Sequence, residues 1–130
     1  MIDLDCPPEE IDEALGGYLV AYLAFLRDYE CEWEWIEHKF YCDEFGGYCG
    51  TIDRYGTIDG VKAVLDIKTT SSPTKQNYVS YCAQTAAYAI ATPEYTNQNI
   101  ERYDLFLKND GTYKLVNCAE YEAKHGFDSL

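Results

Sequence analysis

Positive charge is scarce in this chain. Ten Lys and Arg stand against 23 Asp and Glu in 130 residues, a formal net charge of −13. That balance excludes a uniformly basic nucleic-acid-binding surface. The deficit is uneven, however. Residues 1–37 carry 11 acids and a single base, Arg27, whereas residues 38–130 carry 12 acids and 9 bases. Long hydrophobic runs are also missing. The longest, Gly17 to Leu26, is far short of the ~20 apolar residues that a membrane-spanning helix needs. The opening stretch MIDLDCPPEE is acidic, where a secretory leader begins basic and continues into an apolar core. These two absences set the expectation of an intracellular, cytoplasmic protein. The six cysteines, Cys6, Cys31, Cys42, Cys49, Cys82 and Cys118, include no C-x-x-C pair. The commonest spacing signal for a metal site is therefore lacking, although ligands could still converge in space. Without a secretory context the thiols are expected to be free and buried or half-buried.

What is present points to one folded domain over residues 1–130. Hydrophobic residues make up 47 % of the chain, with 13 Tyr, 5 Phe and 2 Trp, too much apolar surface for a disordered segment. Pro7-Pro8-Glu9-Glu10 starts a helix, with proline in the first turn and acids at the positive end of the dipole. Ile11, Leu15, Tyr18, Tyr22, Phe25 and Leu26 follow at helical spacing, so residues 1–30 read as an acidic amphipathic helix. Gly16-Gly17 within it marks a bend or a close contact. Three strands are predicted next, over 31–43, 48–55 and 61–69, with EFGG as the first turn. TTSSPTK is a loop leading into a helix over 76–91 that ends before Pro93. RYDLFLK, NDG and TYKLV form a hairpin, and a short tail helix is expected near 118–125. The order is αβββαββ with that tail helix, an α+β (α/β) fold.

One tetrapeptide occurs twice: Gly50-Thr51-Ile52-Asp53 and Gly56-Thr57-Ile58-Asp59. Asp59-Gly60 between two strand-like runs is a two-residue hairpin turn. The register that follows sets Ile58 against Val61, Thr57 against Lys62, Arg54 against Leu65 and Asp53 against Asp66. Two carboxylates would then face each other with Cβ atoms about 4.5–5.5 Å apart. Their repulsion calls for a cation, and hard oxygen ligands suit Mg²⁺ or Mn²⁺. Lys68 shares a face with Asp66 and would lie opposite Thr51. Val61, Ala63, Leu65 and Ile67 take the other, apolar face. On spacing alone, the same three charged residues describe an ordinary surface ion-pair cluster equally well.

Asp53 followed by Asp66-Ile67-Lys68 ("DIK") resembles the signature of the PD-(D/E)XK nuclease superfamily. Gln84 to Tyr88 ("QTAAY") resembles the Q-x-x-x-Y motif of its RecB-like exonuclease branch, which includes phage exonucleases and CRISPR adaptation nucleases. The resemblance spans residues 33–116 and implies a restriction-endonuclease-like core, a mixed sheet flanked by helices. It also implies Mg²⁺- or Mn²⁺-dependent hydrolysis of DNA phosphodiester bonds in a bacterial or phage-infected cell. Asp53 and Asp66 would hold the metal, with the carbonyl of Ile67 as a further ligand. Lys68 would hold or deprotonate the attacking water, or offset charge in the transition state. Acting as a base requires its pKa to fall well below about 10.4, through burial or nearby cations, with the metal supplying part of the drop. Gln84 and Tyr88, four apart on one helix face, would orient the water, the lysine or the DNA backbone. The helix start after Ser72-Pro73 could receive a phosphate. Glu37 resembles the family's first-strand glutamate. A three-residue loop at 45–47 would put it on the face of Asp53, and a two-residue loop would turn it away. The chain departs from the branch in lacking a clear histidine or acid on an upstream helix, since His38 falls in a strand. It also lacks the four-cysteine iron–sulfur pattern of some members. The acidic first third leaves two arrangements open. The helix lies behind the sheet, with Lys39, Arg54, Lys62 and Lys75 turned to the substrate, or it shields the site or docks a protein partner. A catalytically silent binding protein, or an acidic mimic of DNA, is the competing function.

Overall fold

The computed structural model describes residues 13–69, 74–96 and 99–130. The expected helix start at Pro7–Glu10, Ile11 and the Ser72-Pro73 segment lie outside them. Helix α1 spans Glu13–Asp28. Strands β1 (Cys31–Cys42), β2 (Tyr48–Ile58) and β3 (Val61–Lys68) follow, then helix α2 (Lys75–Ile90), strands β4 (Glu101–Leu107) and β5 (Tyr113–Asn117), and helix α3 (Cys118–His125). The five strands form one sheet in the order β1-β2-β3-β4-β5. All neighbours are antiparallel except β3 and β4, which run parallel because α2 carries the chain across between them. The fold is thus mixed α+β with a mixed sheet and three helices.

Local chemistry accounts for the element ends. Asp59 (φ +51°) and Gly60 (φ +82°) take the left-handed backbone that a type I′ turn requires. The Asp59 carboxylate also accepts the Glu30 amide at 2.8 Å, tying this turn to the start of β1. Thr74 and Asn77 cap α2 reciprocally. Asn117 caps α3, and Gly126 ends it in the left-handed region.

The sheet buries both faces. On one face, Ala21, Tyr22 and Phe25 of α1 pack against Ile58, Ala63, Leu65, Leu105 and Leu107. On the other, Ala89 of α2 packs with Tyr55, Val64 and Ile100, and Tyr78 and Tyr81 of α2 lie against Phe106. The acidic helix therefore sits on the face opposite α2. Gly17 is the close contact anticipated from the sequence, because a Cβ there would lie 1.8 Å from the Asn109 carbonyl oxygen. α1 runs through it unbroken. Two expectations fail at element ends. Leu15 and Val61 are 44 % and 49 % exposed.

Candidate functional site

The hairpin register predicted from Asp59-Gly60 holds from Ile58–Val61 to Arg54–Leu65 and stops there. Asp53 and Asp66 do not form the next ladder pair, nor Thr51 and Lys68 a later one. Instead the remainder of β2 stays with β1, down to the Cys42–Tyr48 pair. The end of β3 stays with β4, to Lys68–Phe106. Where the two strands part, the Asp53 carboxylate accepts the Ile67 amide at 2.8 Å. A side chain thus takes over from the ladder at this point and keeps Asp53 beside the Ile67 peptide.

Asp66 is 4 % exposed. Burial lifts its pKa to about 7, and the Asp53 carboxylate adds to the rise while Lys68 opposes it. The Lys68 ammonium lies 2.8 Å from Asp66 Oδ2, but that oxygen has no aligned hydrogen-bond donor. The ion pair therefore leaves a buried carboxylate oxygen with unused acceptor capacity. Lys68 also donates to Gln84 Oε1 at 3.0 Å, and Gln84 Nε2 donates to the Tyr88 hydroxyl oxygen at 2.9 Å. The Lys68 ammonium sits 4.6 Å from the Tyr81 ring centroid, a cation–π contact. Asp66, Lys68, Gln84 and Tyr88, on β3 and α2, are thus linked side chain to side chain, and Asp53 of β2 joins them through the Ile67 amide. The four-residue spacing of Gln84 and Tyr88 aims both at the end of β3.

Burial would lower the Lys68 pKa, but Asp66 and then Asp104 outweigh it, so without a bound cation the net shift is upward. In this metal-free arrangement Lys68 is an ammonium donor. Tyr88 is raised chiefly by burial and next by Asp66. With its oxygen accepting from Gln84, Tyr88 keeps a hydroxyl proton to donate.

Glu37 stands across from Asp53 in the β1–β2 register without bonding to this group. The turn after β1 occupies residues 43–47, neither of the loop lengths weighed from sequence. Glu37 falls between the pairs Ile36–Arg54 and His38–Ile52. It is exposed, adopts φ +50°, and among the described residues makes no hydrogen bond or ion pair to the site. The strand also carries a register shift between Trp33 and Trp35, which no local sequence signal announces. Arg54 is likewise not turned outward. It is 4 % exposed, with its guanidinium on the Tyr22 hydroxyl and the Asp53 carbonyl. Lys62 pairs with Glu34 and Glu94, and Lys39 is exposed.

Sequence reasoning missed Asp104. The parallel register places it beside Asp66 on β4, fully buried. Burial lifts its pKa to about 6. One carboxylate oxygen receives the Cys118 thiol at 3.3 Å, and the other has no hydrogen-bond partner among the described residues. The one available signal was an acid inside the otherwise apolar RYDLFL run. Cys82 and Cys118 are buried as anticipated and Cys31 and Cys42 half-buried, but Cys49 is exposed. Further along the same layer, Arg102 Nη2 donates to both carboxylate oxygens of Glu122, at 2.6 and 3.1 Å, an ion pair with both residues buried.

A hard divalent cation fits the residues present at Asp53 and Asp66: two neighbouring carboxylates, one of them buried with an oxygen lacking an aligned donor. Among the described residues no helix is long and apolar enough to cross a membrane. No protein-family model matches this chain, and no curated protein is similar to it at a significant level.

Proposed function

We propose that the chain is a metal-dependent nuclease that hydrolyses DNA phosphodiester bonds, with a restriction-endonuclease-like core and an exonuclease activity of the RecB-like type. The supporting observation is the linked set of Asp53, Asp66, Lys68, Gln84 and Tyr88 at the point where β2 and β3 part. Asp53 and Asp66 would hold Mg²⁺ or Mn²⁺, with the Ile67 carbonyl nearby as a further ligand. The cation, when bound, would polarise the scissile phosphate and acidify a bound water.

The chain's own residues supply the rest. Lys68, held charged by Asp66 and Asp104, offsets negative charge building on the phosphate and holds the attacking water by a hydrogen bond. Gln84 fixes the ammonium through its carbonyl oxygen. It also turns its amide to Tyr88, which leaves the tyrosine proton for a phosphate oxygen. The described part of α1 lies on the opposite face of the sheet. That placement favours the arrangement in which the acidic helix stands behind the sheet.

A second reading, a nuclease fold that binds a partner without cleaving, draws on the net charge of −13. The test is incubation with labelled single- and double-stranded DNA, and with RNA, with and without Mn²⁺. Mn²⁺-dependent cleavage lost in Lys68→Ala supports the nuclease. DNA left intact under all conditions by a folded protein overturns it in favour of the binding protein.

A further inference from the structure

Behind the nuclease-like residues lies a second, chemically different cluster. Cys82 comes from α2, Asp104 from β4 and Cys118 from the first turn of α3. Their ligand atoms all lie within 4.8 Å of one another, and all three residues are fully buried. Cys118 Sγ stands 3.3 Å from Asp104 Oδ2. For comparison, a thiolate and a carboxylate oxygen sharing one tetrahedral ion, with Zn–S about 2.3 Å and Zn–O about 2.0 Å, are separated by roughly 3.5 Å. The other Asp104 oxygen is buried with no donor, a cost that a native core rarely leaves standing.

We propose that Cys82, Asp104 and Cys118 bind a borderline transition-metal ion of the Zn²⁺ class. The donor set decides the metal. Two sulfurs and one carboxylate suit Zn²⁺ or Co²⁺, whereas Mg²⁺ and Mn²⁺ prefer oxygen alone, so this site and the Asp53–Asp66 site discriminate between cations. Binding converts two thiols to thiolates and releases two protons to solvent. The resulting centre carries one net negative charge. The Lys68 ammonium and the Arg102 guanidinium, both of which act on Asp104, offset that charge. Three protein ligands leave a fourth position for water. The ion would join α2, β4 and α3 at one point. Cys82 lies two residues before Gln84, so the same ion would fix the helix that presents Gln84 and Tyr88.

The cluster is fully enclosed, so the metal is best offered during folding. The chain should be refolded with Co²⁺ alone. The expected product shows a thiolate-to-cobalt charge-transfer band in the near ultraviolet together with the intense visible bands of tetrahedral Co²⁺. Cys118→Ser should lose the charge-transfer band or shift it strongly. Asp53→Asn/Asp66→Asn should keep it unchanged. A variant with Cys6, Cys31, Cys42 and Cys49 all changed to Ser should also keep it, which covers the case in which Cys118→Ser fails to fold. Absence of the band in the refolded parent would overturn the proposal, as would its loss in the four-serine variant or its persistence in a folded Cys118→Ser.

Discussion

The two faces of the sheet are built on different terms. Leu65 and Asp66 are consecutive on β3, both buried, and point to opposite sides. The α1 side, where Leu65 lies, is filled with Ala21, Tyr22, Phe25, Ala63, Leu105 and Leu107. Burial there removes mainly apolar surface from water, with the Arg54 guanidinium, held on the Tyr22 hydroxyl, as the buried charge on that side. The α2 side begins in the same way, with Val64 and Ala89. Toward the C-terminal end of β3 and across β4 it becomes a polar layer: Asp66, Lys68, Asp104, the two thiols, and the Arg102–Glu122 pair. Buried charge is expensive unless paired, and even a good pair seldom adds stability over an apolar substitute. A layer that leaves an Asp104 oxygen with no donor among the described residues, and an Asp66 oxygen with only the Lys68 ammonium beside it, gains nothing from packing by doing so. The contrast marks the α2 side as the one that carries most of the buried polar and charged residues.

The comparison can be broken most severely at the polar layer. Lys68→Ala should lower DNA cleavage by roughly 10²–10⁴-fold, the scale of a lost proton-handling or charge-offsetting group. Asp53→Ala and Asp66→Ala should abolish cleavage, all three while keeping a native circular dichroism spectrum. Equal activity in the parent and in Asp53→Ala would remove Asp53 from the site.

The next largest effect belongs to the buried ion pair. Glu122→Ala leaves the Arg102 guanidinium uncompensated and should cost about 3–5 kcal/mol in urea unfolding. A loss under about 1 kcal/mol would mean that water reaches Arg102.

Leu65 and its neighbour Asp66 permit a direct contrast between the faces. Leu65→Ala should cost about 2–5 kcal/mol at every pH, since it removes only packing. Asp66 should behave otherwise in metal-free protein held in chelator. Its folded pKa of about 7 exceeds the ordinary 3.8, so the folded state keeps a proton that the unfolded state has released. The same holds for Asp104, at about 6. Stability from these groups is complete below about pH 4 and is lost as pH rises toward about 7. Asp66→Asn should flatten this decline, and an unchanged slope in that variant would show that Asp66 is not buried as a protonated acid.

A smaller shift follows from adding a cation. Mg²⁺ at about a hundred times its Kd should add about 2.7 kcal/mol of stability by linkage. The rise in melting temperature should be missing in Asp53→Asn/Asp66→Asn. The smallest effect is expected for the twin of Asp53. Asp59→Asn keeps both the left-handed turn and an oxygen for the Glu30 amide. Stability should change by less than about 0.5 kcal/mol and cleavage not at all. A strong loss of cleavage would mean that the wrong copy of the repeated tetrapeptide has been placed in the site.

The amino-acid sequence by itself determined whatever a few neighbouring residues can decide. Asp59-Gly60 set a turn, and the turn set the register as far as Arg54–Leu65, because in a two-residue hairpin each pair dictates the next. Helical spacing put Gln84 and Tyr88 on one face. The NDG hairpin and the tail helix were legible for the same local reasons. Tertiary structure decided the rest. The β2–β3 ladder ends after Arg54, with β2 continuing along β1 and β3 along β4, neighbours that depend on distant segments. The register shift in β1 and the positive φ of Glu37 follow from pairing across the sheet, not from the CEWEWIEH stretch. Arg54 is drawn inward by Tyr22, a helix residue far from it in sequence. Asp104 meets Asp66, Cys82 and Cys118 only because a parallel crossover fixes β4 against β3. No turn residue encodes such a register; it is set by how α2 packs across the sheet.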